Sequence, residues 1–149
     1  MTLDIVLGEG PLLADWRAIH NAVISTHRLS ADEVAERATR HRLTLGYADG
    51  RLVGNATVRP PEGPDAVATV IVRILPAHRR RGLGSAYLRA ELDAALAMGA
   101  GRVETVVLES NADGLAFARR HGFVEHDRYV LDGDTIAYVD LHLPDPTGT

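Results

Sequence analysis

A basic, glycine-containing segment separates a buried apolar stretch from a long helical pattern. Residues 79–84 have the sequence Arg-Arg-Arg-Gly-Leu-Gly, and they follow the apolar stretch Val67–Leu75. The first N–H groups of a helix have no partner inside the helix, and the helix dipole makes that end positive. Glycines allow a ligand to approach the backbone closely. This order of strand, basic loop and helix predicts an anion site with a phosphate group as its ligand.

Three kinds of phosphate-binding loop follow a strand and begin a helix, and they differ in the residues they require. A Walker loop needs a lysine beside its last glycine, and this loop contains no lysine. A dinucleotide-binding loop has the form G-x-G-x-x-G, but Tyr87 stands where the third glycine belongs. The third form is R-x-x-G-x-G, and residues 79–84 match it in full.

A second block of sequence points in the same direction. Asn111 follows the apolar run Val103–Leu108, and Gly122 and Phe123 come eleven and twelve residues after it. Together the two blocks resemble the acyl-CoA loop and the later asparagine-containing helix of the GNAT superfamily of N-acetyltransferases. The resemblance extends over Val67–Tyr129, which is about two-fifths of the chain.

The rest of the chain predicts the elements that position these blocks. Apolar spacing from Leu12 predicts a first helix, and the capping box Ser30-Ala31-Asp32-Glu33 begins a second one. Further expectations are a hairpin turn at Asp49-Gly50, a break at the prolines 60, 61 and 64, and a last hairpin formed by 123–131 and 135–143. The predicted order of elements is β-α-α-β-β-β-α-β-α-β-β.

This order predicts the α/β fold class. The sheet should be mixed, with parallel and antiparallel strands as in α+β proteins. The resemblance implies the GNAT acyl-CoA N-acyltransferase fold, in which the fourth and fifth strands are parallel and splay apart to hold CoA. We expect residues 1–143 to form a single GNAT domain and residues 144–149 to form a flexible C-terminal tail.

The resemblance also implies acetyl-CoA as co-substrate and no metal. The end of the fourth strand would offer backbone groups to the pantetheine arm, the loop amides would bind the pyrophosphate, and the asparagine would contact the arm from the other side. The residues expected to bind the co-substrate are Ile74, Arg79, Arg80, Arg81, Gly82, Leu83, Gly84, Ser85, Asn111 and Phe117.

The implied reaction is the direct attack of a primary amine on the thioester in a ternary complex. The chain has no cysteine, so a cysteinyl acyl-enzyme is excluded. Many relatives carry a tyrosine acid seven residues after the asparagine, and this chain has Ala118 there. Tyr129 and Tyr138 are the alternative candidates for the acid, and Glu109 is the candidate base. The missing tyrosine keeps a second hypothesis open, a CoA-binding regulatory module without catalysis.

Composition limits the partners. The formal net charge of −4 argues against non-specific nucleic-acid binding, which needs a basic face. No apolar run approaches membrane-spanning length and no cysteine framework is present, so we expect a cytoplasmic protein that binds neither nucleic acid nor membrane. The acceptor would be a small-molecule amine or a peptide or protein amine. Its identity, the acyl chain length and a possible homodimer remain open.

Overall fold

Seven strands form one mixed sheet, and two helices pack on each of its faces. The computed structural model describes residues 2–144. The elements are β1 (Leu3–Leu7), α1 (Leu12–Val23), α2 (Ala31–Ala38), β2 (Arg42–Ala48), β3 (Arg51–Glu62), β4 (Val67–Ile74), α3 (Leu83–Ala97), β5 (Arg102–Leu108), α4 (Ala112–Arg120), β6 (Val124–Tyr129) and β7 (Tyr138–Leu143). The strand order is β1-β2-β3-β4-β5-β7-β6, so the predicted fold class and order of elements are confirmed.

Among the strands of residues 2–144, β4 and β5 are the only parallel neighbours, and their pairing is short. Backbone register joins Val67–Thr69 to Arg102–Glu104 and goes no further. Beyond Thr69, β4 remains paired with β3 up to Ile74, while β5 remains paired with β7 up to Leu108. The two strands therefore separate toward their C-terminal ends, which gives the sheet a fork at its centre.

Alternation along β4 sends successive side chains to opposite faces of the sheet. Ala68 and Val70 are buried with α3 and α4 in the larger core cluster. The opposite face carries Thr69, Ile71 and Arg73 and lies on the side of α1 and α2. The core beneath α1 and α2 consists of Trp16, Leu29, Val34, Leu43 and Leu45.

Short-range signals in the sequence set several element boundaries as predicted. The Ser30 side chain accepts from the Glu33 N–H while the Glu33 side chain accepts from the Ser30 N–H, which is a complete capping box at α2. Asp49 and Gly50 both have positive φ, at 52° and 79°, as a type I′ turn requires. Asn111 caps α4 by accepting from the Gly114 N–H.

Two boundary predictions were wrong. Pro60 and Pro61 do not break the chain, because β3 continues to Glu62 with a register shift between Arg59 and Glu62, whereas Pro64 lies in the turn before β4 as predicted. Pairing with β2 ends at Val58. Pro60 and Pro61 therefore lie beyond the hydrogen bonds between β2 and β3, where their lack of an N–H group costs nothing. The last strand begins at Tyr138 rather than at residue 135.

The ends of the chain limit two further expectations. The predicted tail at 144–149 lies outside the described residues, except for Pro144. In the part of the chain that the structure describes, no helix is both long enough and apolar enough to cross a bilayer.

Two stacked aromatic rings and a guanidinium group lie between α1 and the sheet. Trp16 is fully buried, and the His20 ring stacks on it with centroids 5.6 Å apart. The Arg73 guanidinium lies 5.5 Å from the Trp16 ring centroid. Burial, and then the charge of Arg73, lower the pKa of His20 from 6.5 to about 4.

This depressed pKa predicts a pH-dependent stability. The unfolded chain protonates His20 below pH 6.5, whereas the folded chain protonates it near 4, so the free energy of unfolding falls as the pH falls through this window. The full loss is about 3 kcal/mol. His20→Gln should flatten the curve of unfolding free energy against pH between 6.5 and 4 in urea titrations. The exposed His126→Gln serves as a control and should retain the wild-type slope; an unchanged slope in His20→Gln would contradict the assignment.

Candidate active site

The backbone between β4 and α3 presents a row of unpartnered amides. A short 3₁₀ turn at Pro76–His78 leads into the basic loop. Within residues 2–144, the N–H groups of residues 80–85 have no hydrogen-bond acceptor, and the first α3 bond is that from the Ala86 N–H to the Gly82 carbonyl. These free donors lie at the positive end of the α3 dipole, so the predicted anion site has the required chemistry.

The shape of this loop depends on left-handed backbone and on a missing side chain. Arg80 has φ 64° and Gly82 has φ 77°, and such residues turn successive N–H groups into a concave anion-binding arrangement. A Cβ on Gly84 would lie 3.2 Å from Phe117 and 3.6 Å from Ile74. Glycine at position 84 therefore keeps open the space between the first turn of α3, the end of β4 and α4.

The three arginines of the loop do not have the same role. The Arg79 Nε donates to the Ile74 carbonyl at 2.9 Å, and its Nη1 lies 3.9 Å from an oxygen of Asp113 on α4. Arg79 is thus turned back toward the end of β4 and braces the loop against α4. Arg80 and Arg81 are exposed and form no ion pair in the described part of the chain, so they are the arginines available to an anionic ligand.

Residues of α3 and α4 form the other wall of the loop. Phe117 contacts the site of Gly84 and packs against His121, with ring centroids 4.6 Å apart. The Ser85 hydroxyl is 2.9 Å from His121 Nε2. The Asn111 side-chain oxygen accepts a hydrogen bond from the Gly114 N–H and so caps α4. Leu83 is buried beneath the helix and positions the first turn through packing.

A tyrosine–aspartate pair, Tyr129 and Asp140, occupies the face of the sheet that carries α1 and α2. The Tyr129 hydroxyl donates to Asp140 at 3.1 Å, and Tyr138 stacks on Tyr129 with centroids 5.9 Å apart. Register places Asp140 opposite Val106 on β5, beyond the last parallel pair of β4 and β5. These side chains therefore border the fork.

Burial controls the protonation of this group. It raises the pKa of Tyr129 to about 12, with the Asp140 charge as the second cause. Burial also raises the pKa of Tyr138 and of Asp140 above their ordinary values. At neutral pH both tyrosines keep their protons and can donate them, as a general acid must.

Glu109, the base candidate from sequence, lies at the end of β5 and is bound to an arginine. Its carboxylate accepts from Arg128 Nη1 at 2.6 Å, and Arg128 also pairs with Glu125. Arg128 lies opposite Val139 in the register, which is the face of α3 and α4. The structure thus holds Glu109 toward the face away from Tyr129 and Tyr138 and does not bring the three candidates together.

Two residues beside the fork escaped the sequence analysis, although each left a signal. Asp140 lies in the alternating segment Tyr138-Val-Asp-Leu-His142, where polar residues share one face with the candidate tyrosines. Arg73 is a charged residue near the end of the otherwise apolar β4 strand. It is 6% exposed, and its Nη1 donates to Asn55 and Thr57.

Among residues 2–144, no group of three or more histidine, aspartate or glutamate side chains is placed to bind a metal. Ala118 is buried in the core under α4, so that position offers no acid to the fork. The chemistry available here consists of amide donors, two free arginines, a tyrosine–aspartate pair and a second tyrosine.

Known proteins share both the sequence pattern and the fold. The model of the Acetyltransferase (GNAT) family matches residues 12–123. The mycothiol acetyltransferase of Clavibacter michiganensis subsp. michiganensis (strain NCPPB 382) is 31% identical over 119 residues, which are 73% of this chain and 38% of that enzyme. The chain therefore corresponds to less than half the length of that relative.

Solved structures with the same fold cover almost the whole chain. A candidate phosphinothricin N-acetyltransferase has a TM-score of 0.80 at 23% identity, over 95% of this chain and 97% of its own. The protein yncA of Salmonella typhimurium, solved with its cofactor acetyl-CoA, has a TM-score of 0.75 at 18% identity, over 96% and 94%. The ribosomal-protein-S18-alanine N-acetyltransferase of Escherichia coli has a TM-score of 0.76 at 21% identity, over 96% and 94%.

The family match extends over well more than half of the chain and includes both the glycine loop and the asparagine helix. With the forked pair of parallel strands, it shows that this chain belongs to the GNAT family of acetyltransferases.

Proposed function

We propose that this protein transfers an acetyl group from acetyl-CoA to a primary amine, by direct attack in a ternary complex. The observation that carries the proposal is the row of free amides at residues 80–85, placed beside a fork between two parallel strands. A dianionic diphosphate matches the amides, and an extended thioester-bearing arm matches the unpaired edge of β4.

The residues present fit acetyl-CoA. The amides of 80–85 and the free guanidiniums of Arg80 and Arg81 would bind the diphosphate through charge-assisted bonds. Within residues 2–144, the edge of β4 between Val70 and Ile74 has no strand partner on the side of the fork, so it can pair with the amide groups of the arm. Gly84 lets the first turn of α3 approach Phe117 and Ile74 closely, since a Cβ there would lie 3.2 Å from Phe117.

When bound, acetyl-CoA supplies a thioester carbonyl that an amine can attack and a thiolate that can leave. The protein must first provide a neutral amine. A lysine-like amine has a pKa of about 10.4, so about one in a few thousand is neutral at pH 7. A base beside the fork raises this fraction at the moment of attack.

Asp140 is better placed than Glu109 to act as this base. It lies on the face beside the fork and is half-buried, whereas Glu109 is exposed and bound to Arg128. Burial raises the pKa of Asp140, which makes its carboxylate a stronger base than an ordinary aspartate. Tyr129, which donates to Asp140, and Tyr138, which stacks on Tyr129, remain the candidates for protonating the leaving thiolate.

The related proteins acetylate different classes of amine. One is named for mycothiol, a small molecule, and another for the alanine of a ribosomal protein. For this chain the acceptor is therefore a small-molecule amine or a protein amine. The second candidate function, CoA binding without catalysis, is favoured by Ala118, which is buried where many relatives carry the tyrosine acid.

The first prediction of this proposal concerns the diphosphate cradle, which is the loop of residues 80–85. Arg80→Ala combined with Arg81→Ala should raise the Kd for CoA roughly tenfold, because two charge-assisted contacts are lost. Gly84→Trp should raise it about tenfold or more, since the side chain fills the cradle. Calorimetry with CoA measures both.

Matched substitutions control for effects on folding. Arg89→Ala removes an arginine and Ala97→Trp introduces a tryptophan at exposed positions of α3, and both variants should bind CoA as the wild type does. Wild-type affinity in both cradle variants would remove the basis of the assignment.

The second prediction concerns the base. Asp140→Asn should lower kcat about 100-fold with a reactive amine and should remove the rise of kcat/KM with pH that deprotonation of Asp140 causes. Because its pKa is raised, this rise should lie above the range of an ordinary carboxylate. Thiol release from acetyl-CoA across a panel of amines, followed from pH 5 to pH 9, is the measurement.

Two further variants serve as comparisons for Asp140→Asn. Glu109→Gln should leave the pH profile in place, and so should the exposed Asp132→Asn. The reverse ranking, with Glu109→Gln severe and Asp140→Asn mild, would assign the base to Glu109. CoA binding without turnover on any amine would favour the non-catalytic alternative.

A further inference from the structure

Arg73 is a buried cation that has no counter-ion among residues 2–144. It is 6% exposed on the face of the sheet that carries α1 and α2. Its Nη1 donates to Asn55 Oδ1 at 3.2 Å and to Thr57 Oγ1 at 3.3 Å. Its Nε is buried and has no partner among the described residues. Buried arginines are ordinarily paired with an acid, because an unpaired buried charge costs several kcal/mol.

The two charges that act most strongly on Arg73 have the same sign as its own. Burial and then the charges of Arg59 and Arg37 lower the pKa of Arg73 to about 9. Burial and Arg37 lower the pKa of Arg59 as well. Within residues 2–144, none of these three guanidiniums lies within 4.0 Å of a carboxylate. We call Arg37, Arg59 and Arg73 the arginine cluster.

Other ionisable groups near the cluster do not neutralise it. Burial is the first cause that lowers the pKa of both His20 and His41, and the charges of the cluster lower it further. Both histidines are therefore neutral at pH 7 and do not change the charge of this region. Asp140 is the carboxylate whose charge acts on Arg59, and it already accepts from Tyr129. The positive charge of the cluster therefore remains largely uncompensated.

The cluster lies next to the place where the acceptor must enter. Register sets Arg59 directly opposite Thr69, the last β4 residue of the parallel pairing. Arg73 lies four residues further along β4 on the same face, opposite Asn55. The cluster thus flanks the fork on the face that also carries Tyr129 and Asp140, away from the diphosphate amides at residues 80–85.

We propose that the arginine cluster binds the carboxylate of the amine acceptor, so that the substrates are amino-acid-like small molecules. The inference rests on the proposed acetyl transfer, because it assigns the acceptor half of the same site. Guanidinium groups bind such oxyanions through two parallel hydrogen bonds, and the free Nε of Arg73 supplies a donor for this geometry. An acceptor held in this way presents its amine toward the fork.

A purely structural role for Arg73, as a spacer between Trp16 and β3, makes a different prediction. It would affect stability, but it would not distinguish an acidic ligand from a neutral one of the same shape. The decisive quantity is therefore the ratio between an amino acid and its carboxamide, which differ in charge and hardly in size.

The experiment uses the twenty common amino acids, each with its carboxamide, as acceptors and as ligands. Thiol release gives kcat/KM, and calorimetry with CoA-saturated protein gives binding without catalysis. We expect at least one amino acid to exceed its carboxamide by about tenfold or more in both measurements. Arg59→Gln changes an exposed residue and should bring this ratio toward one. Arg73→Gln keeps a polar side chain beside Asn55 and Thr57 and should have the same effect. The exposed Arg51→Gln, at the β2–β3 turn, should keep the wild-type ratio.

The outcomes separate this inference from the proposed function. Transfer to carboxamides as efficient as transfer to acids would overturn the anion site and leave acetyl transfer standing. Preferential binding of acids without turnover would support the anion site and contradict the proposed activity. Absence of both binding and turnover for every acid would overturn the anion site, as would an unchanged ratio in Arg59→Gln and Arg73→Gln.

Discussion

The parallel pairing of β4 and β5 ends after three residues, at Thr69 and Glu104. Every other feature of the site depends on this early end. Each strand keeps its antiparallel partner on the outer side, so the sheet stays intact while a gap opens at its centre. The gap leaves backbone groups on the inner edge of β4 for an extended ligand. A fully paired sheet would need those groups for itself and could not bind one.

Two separate basic regions would serve the two halves of the proposed reaction. The loop presents free amides with Arg80 and Arg81 at the surface, which suits a strongly hydrated diphosphate. The arginine cluster lies on the face of the sheet that carries α1 and α2, where Arg73 is buried with neutral partners. On the same face as the cluster, the tyrosine–aspartate pair combines a proton donor and a candidate base within one hydrogen bond. This division would let one small domain hold two anionic molecules without a single large basic face, in keeping with its net charge of −4.

The sequence predicted the features that depend on neighbouring residues. The capping box at Ser30, the turn at Asp49 and the cap at Asn111 each need only a few adjacent side chains, and all three occur as expected. The partners of charged side chains could not be predicted in this way, because they depend on which strands become neighbours. Arg79 turns inward to the Ile74 carbonyl, and Glu109 pairs with Arg128, nineteen positions away. The burial of Arg73 and Asp140 likewise depends on sheet register, which the strand patterns alone did not specify.

The most direct test of the account is the response of individual backbone amides to the ligand. Nuclear magnetic resonance of the labelled protein should show large shifts of the amides at residues 80–85 with CoA, and much smaller ones with pantetheine, which lacks the diphosphate. Equal shifts with both ligands, or none with saturating CoA, would contradict the claim that these amides bind the diphosphate.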